Sequence, residues 1–117
     1  DFTWVEDTAR GIIMAAECDD LFGDTINIAR GREVRIERIC QLVIAALGDH
    51  DLKPCYLAGG RPGDVVRHYA DISKARRIIN YSPTVDIEQG IERYVDWIMT
   101  QSLDMEQWTK QERVQNW

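Results

Sequence analysis

The clearest alternation of apolar and polar positions lies at residues 36–47. Ile36, Ile39, Cys40, Val43, Ile44 and Leu47 recur at offsets 0, 3, 4, 7, 8 and 11, the period of one helix face. Arg35, Glu37, Arg38 and Gln41 fall off that stripe, and Gly48 stops it. A second helical pattern covers residues 6–18, with Val5, Ala9, Ile12, Ile13 and Ala16 on one face. Glu6 and Asp7 stand at its start, where the helix dipole favours negative charge. A third helix is expected over 72–80, built on Ile72, Ala75, Ile78 and Ile79, with Asp71 placed to cap it. Asn80 tolerates the left-handed conformation that ends such a helix, and Pro83 prevents continuation. The fourth covers 87–99. Ile87, Ile91, Tyr94, Val95 and Ile98 form its core face, Trp97 sits beside it, and Asp86 with Gln89 reads as a capping box.

Between these helices lie short apolar runs, which read as strands over 1–5, 25–29 and 55–58. Gly23-Asp24 turns into the second run, and Asp49 to Pro54 is a polar connection into the third. The order strand, helix, strand predicts a crossover that sets 25–29 parallel to 55–58. The expected class is therefore α/β, a small sheet of short strands packed with four helices. One domain is expected over residues 1–101. The remainder, 102–117, is a tail whose Trp108, Val114 and Trp117 keep no clean period, with a docked helix the favoured reading.

Composition narrows the function classes. The 117 residues are 44% hydrophobic and 29% charged, ordinary for a globular domain. A net charge of −6 argues against nucleic-acid or anionic-membrane partners. No apolar run approaches the roughly 20 residues of a membrane span, and no leader peptide opens the sequence. Cys18, Cys40 and Cys55 lack metal-ligand spacing, and His50 and His68 stand apart from them. Cys40 reads as a buried free thiol. No metal is expected, and a cytoplasmic setting is the simplest reading.

The candidate chemistry concentrates in Gly59-Gly60-Arg61-Pro62-Gly63-Asp64. Three glycines around a proline let backbone approach a ligand closely. Arg61 offers a planar fork of donors suited to phosphate, and Asp64 a carboxylate suited to sugar hydroxyls. The same two residues could instead pair with each other across the turn. Arg30, Arg32, Arg35 and Arg38 cluster upstream, where a solvated face and a second phosphate contact are both open.

Arg61 to Asp64, followed by Ala70-Asp71, Ser73-Lys74-Ala75, Tyr81 and Pro83, resembles the signature of the extended short-chain dehydrogenase/reductases, the NAD-dependent nucleotide-sugar epimerases and dehydratases. Asp1 to Gly11 resembles a second landmark of that family, and Ile26-Asn27-Ile28 with Gly31-Arg32-Glu33 a third. Together they cover residues 1–99 in the family's order. The resemblance implies the C-terminal, substrate-gripping portion of an enzyme similar to UDP-glucose 4-epimerase. In that portion Arg61 would hold the diphosphate and Asp64 would accept from a ribose hydroxyl; Arg32, from the arginine cluster, is the candidate third contact.

Several positions depart from the family pattern. Arg30 stands where glycine is usual, Arg35 where a capping serine or threonine is usual, and Asn80 where glycine is usual. The family's NAD half carries a glycine-rich turn and a Tyr-x-x-x-Lys pair, and this sequence contains neither. The chain alone is thus expected to bind no NAD and to be inactive. It would keep weak affinity for a nucleoside-diphosphate sugar and self-associate through the face left by the missing half. The alternative is a non-catalytic, self-associating interaction module built on the same scaffold.

Overall fold

A computed structural model describes residues 1–49, 51–56, 63 and 65–101. Four α-helices follow one another: α1 (Val5–Ala16), α2 (Ile36–Leu47), α3 (Ser73–Ile79) and α4 (Ile87–Thr100). A short 3-10 turn, Asp19–Leu21, follows α1. All four lie within two residues of the sequence expectation. Their ends have the anticipated chemistry. The Asp86 carboxylate accepts from Gln89 N at 2.9 Å at the start of α4. Gly48 and Asn80 take left-handed backbone, with φ of 70° and 53°, at the ends of α2 and α3. Asp71 accepts from Ser73 N at 2.8 Å, one residue ahead of the position assigned to a cap. Arg35, at the start of α2, makes no side-chain cap bond.

The expected sheet is not there. Among the described residues no β-strand forms, so the α/β expectation for 1–5, 25–29 and 55–58 is corrected; Leu57 and Ala58 lie outside those residues. The reason is visible in where the backbone donors go. Arg30 N and Gly31 N donate to the Asp1 carboxylate, and Arg30 N also to Thr3 Oγ1. A ladder needs a neighbouring backbone as the acceptor, and here side chains have taken that place. The runs are apolar, but apolar runs without a partner edge do not make a sheet, and the crossover expected to set 25–29 parallel to 55–58 falls with it.

The core gathers Leu21, Ala29, Ile72, Ala75, Ile79 and Tyr81, with Met14, Ile26, Ile28 and Ile78 packed on its margin. Helix α3 therefore buries the stripe the sequence assigned to it. Helix α1 does not. Its expected core face is outward, with Val5 68%, Ile12 59% and Ile13 57% exposed. The inward side carries Asp7 and Gly11. A Cβ on Gly11 would lie 2.6 Å from Ile28 Cγ2 and 2.9 Å from Tyr81 Cε2, so only glycine lets α1 sit this close. Helix α2 packs against α4, where Arg38 also pairs with Glu88 at 2.9 Å. The middle of the α2 stripe is half-buried, while Ile36 and Leu47 at its ends are exposed. Cys40, expected to be buried, is half-buried. On α4, Val95 is buried whereas Tyr94 and Trp97 are exposed and stacked on each other.

Candidate functional site

Two chain segments are tied to each other to frame the candidate site: Asn27 to Val34, which carries Arg32, and Val65 to Asp71, which follows the glycine-proline stretch in sequence. Side chains hold them together. Asn27 Nδ2 donates to Asp71 O at 3.0 Å. Ala70 N donates to Asp1 Oδ2 at 3.1 Å, the same oxygen that accepts from Gly31 N at 2.9 Å. The Arg67 guanidinium bridges to Glu33 with both Nε, at 2.8 Å, and Nη2. That contact holds the Glu33 carboxyl below the usual carboxylate range and raises Arg67 further.

Of the three residues singled out in the sequence, Arg32 is solvent-exposed on the first segment, directly after Gly31. Gly31 takes φ of 73°, and a Cβ there would stand 3.0 Å from Ile72 Cδ1, so a tight glycine turn presents Arg32. Arg61 and Asp64 lie outside the described residues. Gly63, between them, has φ of 80°, the left-handed backbone expected of a turn glycine. Val65 and Val66 then run exposed towards Arg67.

The sequence reading missed the residues that build this frame. Asp1 was assigned to a strand; Asp1, Asn27 and Glu33 entered only as parts of family landmarks with no role assigned, and Arg67 was not singled out at all. Asp7 was read as a charge placed for the helix dipole. Its carboxylate instead turns inward, 2% exposed, and accepts from Thr84 N, Thr84 Oγ1 and Val85 N at 2.9–3.0 Å. Arg10 pairs with it and donates to Ser82 O at 2.7 Å. Burial alone would raise the Asp7 pKa, but the Val85, Arg10 and Thr84 hydrogen bonds outweigh it and lower it to about 2. The available signal was Asp7 and Gly11 four residues apart on the face opposite the apolar stripe, an acid stacked over the one α1 residue small enough for close packing.

A second concavity lies on the other side of α1's first turn, an open groove of about 640 Å³ lined by Trp4, Val85, Ile91, Tyr94 and Trp97 among others. Its lining is mainly apolar, and Arg93 stands over the Trp4 ring at 5.9 Å. Such a surface suits a covering polypeptide better than a diphosphate. Among the described residues no group of histidine, cysteine and acidic side chains could hold a metal ion. Likewise, among them no helix is long and apolar enough to cross a membrane.

No protein-family model matches the chain. Individual proteins do. UDP-glucuronate 4-epimerase of Thermodesulfobacterium geofontis is 36% identical over 98 residues, 83% of this chain and 29% of its own length. A variant of UDP-glucuronic acid 4-epimerase from Bacillus cereus superposes with a TM-score of 0.74 at 35% identity, over 85% of this chain and 31% of the enzyme. This chain belongs to the NAD-dependent epimerase/dehydratase family. The Bacillus cereus structure holds a UDP-fluoro-glucuronic acid and NAD. A further solved structure, an enzyme from Bordetella bronchiseptica in complex with NAD+ and UDP, aligns over 97% of this chain and 33% of its own, with 25% identity and a TM-score of 0.72. The chain thus spans about 30% of the length of the epimerases it matches.

Proposed function

We propose that this chain corresponds to the part of a nucleotide-sugar epimerase or dehydratase that grips the nucleoside diphosphate and not to the part that holds NAD. What carries the reading is that solved relatives, aligned over nearly the whole chain, are complexes with a UDP-sugar or UDP. In this reading Arg61 holds the diphosphate, Asp64 accepts from a ribose hydroxyl, and Arg32 is a third contact from the neighbouring segment. A charge-assisted hydrogen bond of this kind contributes about 1.5–3 kcal/mol. Affinity for the isolated chain is low, because much of the family's pocket lies in polypeptide it does not include.

The 117 residues contain no Gly-x-x-Gly-x-x-Gly and no tyrosine followed four residues on by lysine. Hydride transfer needs NAD held and a tyrosine poised for proton exchange, so the chain by itself binds no NAD and turns over no sugar nucleotide. Calorimetry on the wild type and Arg61→Ala is the test. UDP heat that saturates in the wild type and is lost in Arg61→Ala supports the site. Saturable NAD binding, or UDP binding indifferent to Arg61, overturns it.

The outward face of α1 supports self-association. Val5, Ala9, Ile12, Ile13 and Ala16 are all exposed there. The relatives are about three times longer and have further polypeptide available to cover such a face. In the isolated chain the available cover is a second copy. A stable, non-catalytic dimer built this way is the second reading of the scaffold.

A further inference from the structure

The carboxylate of Asp1 joins three stretches that are distant in sequence. Oδ1 accepts from Arg30 N at 3.1 Å, and Oδ2 accepts from Gly31 N at 2.9 Å and from Ala70 N at 3.1 Å. One acceptor group therefore sets the separation between the turn that presents Arg32 and the segment leading out of the Arg61–Asp64 loop. Its neighbours reinforce the arrangement. Thr3 Oγ1 accepts from Arg30 N at 2.9 Å, and the Arg67–Glu33 bridge ties the same two segments further out. The bridge is largely solvent-exposed and contributes little by itself. The Asp1 carboxylate is part-buried and takes three backbone donors, a fixed and charge-assisted set.

We propose that Asp1 is a positioning residue of the nucleotide site, holding the Arg32 turn and the 65–70 segment in the register that lets one nucleoside diphosphate reach both. The inference rests on the nucleotide reading given above. Asp1 touches no ligand in this account. It acts through the backbone at Arg30, Gly31 and Ala70, and an error of about 1 Å in such positioning can cost up to about a hundredfold in function.

The test compares Asp1→Asn and Asp1→Ala with wild type, following backbone amides by NMR while UDP is added. Asp1→Asn keeps one accepting oxygen and the side-chain size and so remains folded, whereas Asp1→Ala removes every acceptor and weakens UDP binding further. In Asp1→Asn the amide signals of Arg30, Gly31 and Ala70 move upfield as the charged acceptor is lost, and UDP binds at least about tenfold more weakly. Asp86→Ala, which loses the α4 cap bond, is the control for general destabilisation and leaves UDP affinity unchanged. Unmoved Arg30, Gly31 and Ala70 amides overturn the inference. So does a folded Asp1→Asn that binds UDP as well as wild type. That last result leaves the nucleotide reading standing, whereas wild type that takes no UDP overturns both.

Discussion

Four donors converge on the Asp7 carboxylate: Thr84 N, Thr84 Oγ1, Val85 N and the Arg10 guanidinium. Its pKa is about 2 in the fold against 3.8 ordinarily. A carboxylate depressed on folding stabilises the native state above its unfolded pKa, and that contribution is lost as pH falls from about 4 to about 2. The shift corresponds to about 2 kcal/mol. Asp7→Asn is expected to lose at least about 2 kcal/mol at neutral pH, since Thr84 N and Val85 N keep no charged acceptor. It should also flatten the acid limb of a denaturant-stability profile between those pH values. An unchanged acid limb would show that Asp7 is not the titrating group. At this scale the sequence misled for a physical reason. A carboxylate in a first helical turn usually faces solvent and the helix dipole, and the partners that draw this one inward, Thr84 and Val85, lie 77 and 78 positions away.

Helices were legible because their signals are local. The α2 stripe at period 3.6, the Asp86 cap on Gln89 N and the residues that stop α2 and α3 all act within a few positions of one another. Asp86→Ala should therefore cost about 1 kcal/mol and fray the first turn of α4, readable as faster amide exchange at Gln89. Which face a helix turns inward was less legible. On α1 the apolar stripe through Val5, Ile12 and Ile13 is exposed, because Gly11 admits Tyr81 and Ile28 on the opposite side. The strands failed for the same non-local reason. A strand exists only with an edge to pair, and Arg30 and Gly31 meet the Asp1 carboxylate where an edge would be. Of the candidate site, the glycine turns at 31 and 63 were readable from composition. The ties from Asp1, Asn27 and Arg67 were not, since each crosses at least 29 residues of sequence.

As a whole molecule, the chain spans about 30% of the length of the epimerases it matches, with an apolar helix face left outward. Sedimentation of the isolated chain at tens of micromolar is expected to give a dimer or larger, and Ile12→Glu with Ile13→Glu to give a monomer. A stable wild-type monomer would count against the second-copy assignment. The proposal at this scale is narrower: Arg61 and Asp64, with Arg32 as a third contact, take a nucleoside diphosphate without NAD. Its most direct test is a backbone-amide NMR titration with UDP, GDP, dTDP and NAD in turn. At least one of the three diphosphates should shift signals clustered at residues 59–67 and Arg32, with those shifts abolished in Arg61→Ala and none produced by NAD. Silence at those residues with millimolar UDP, GDP and dTDP alike, or saturable shifts with NAD, would contradict it.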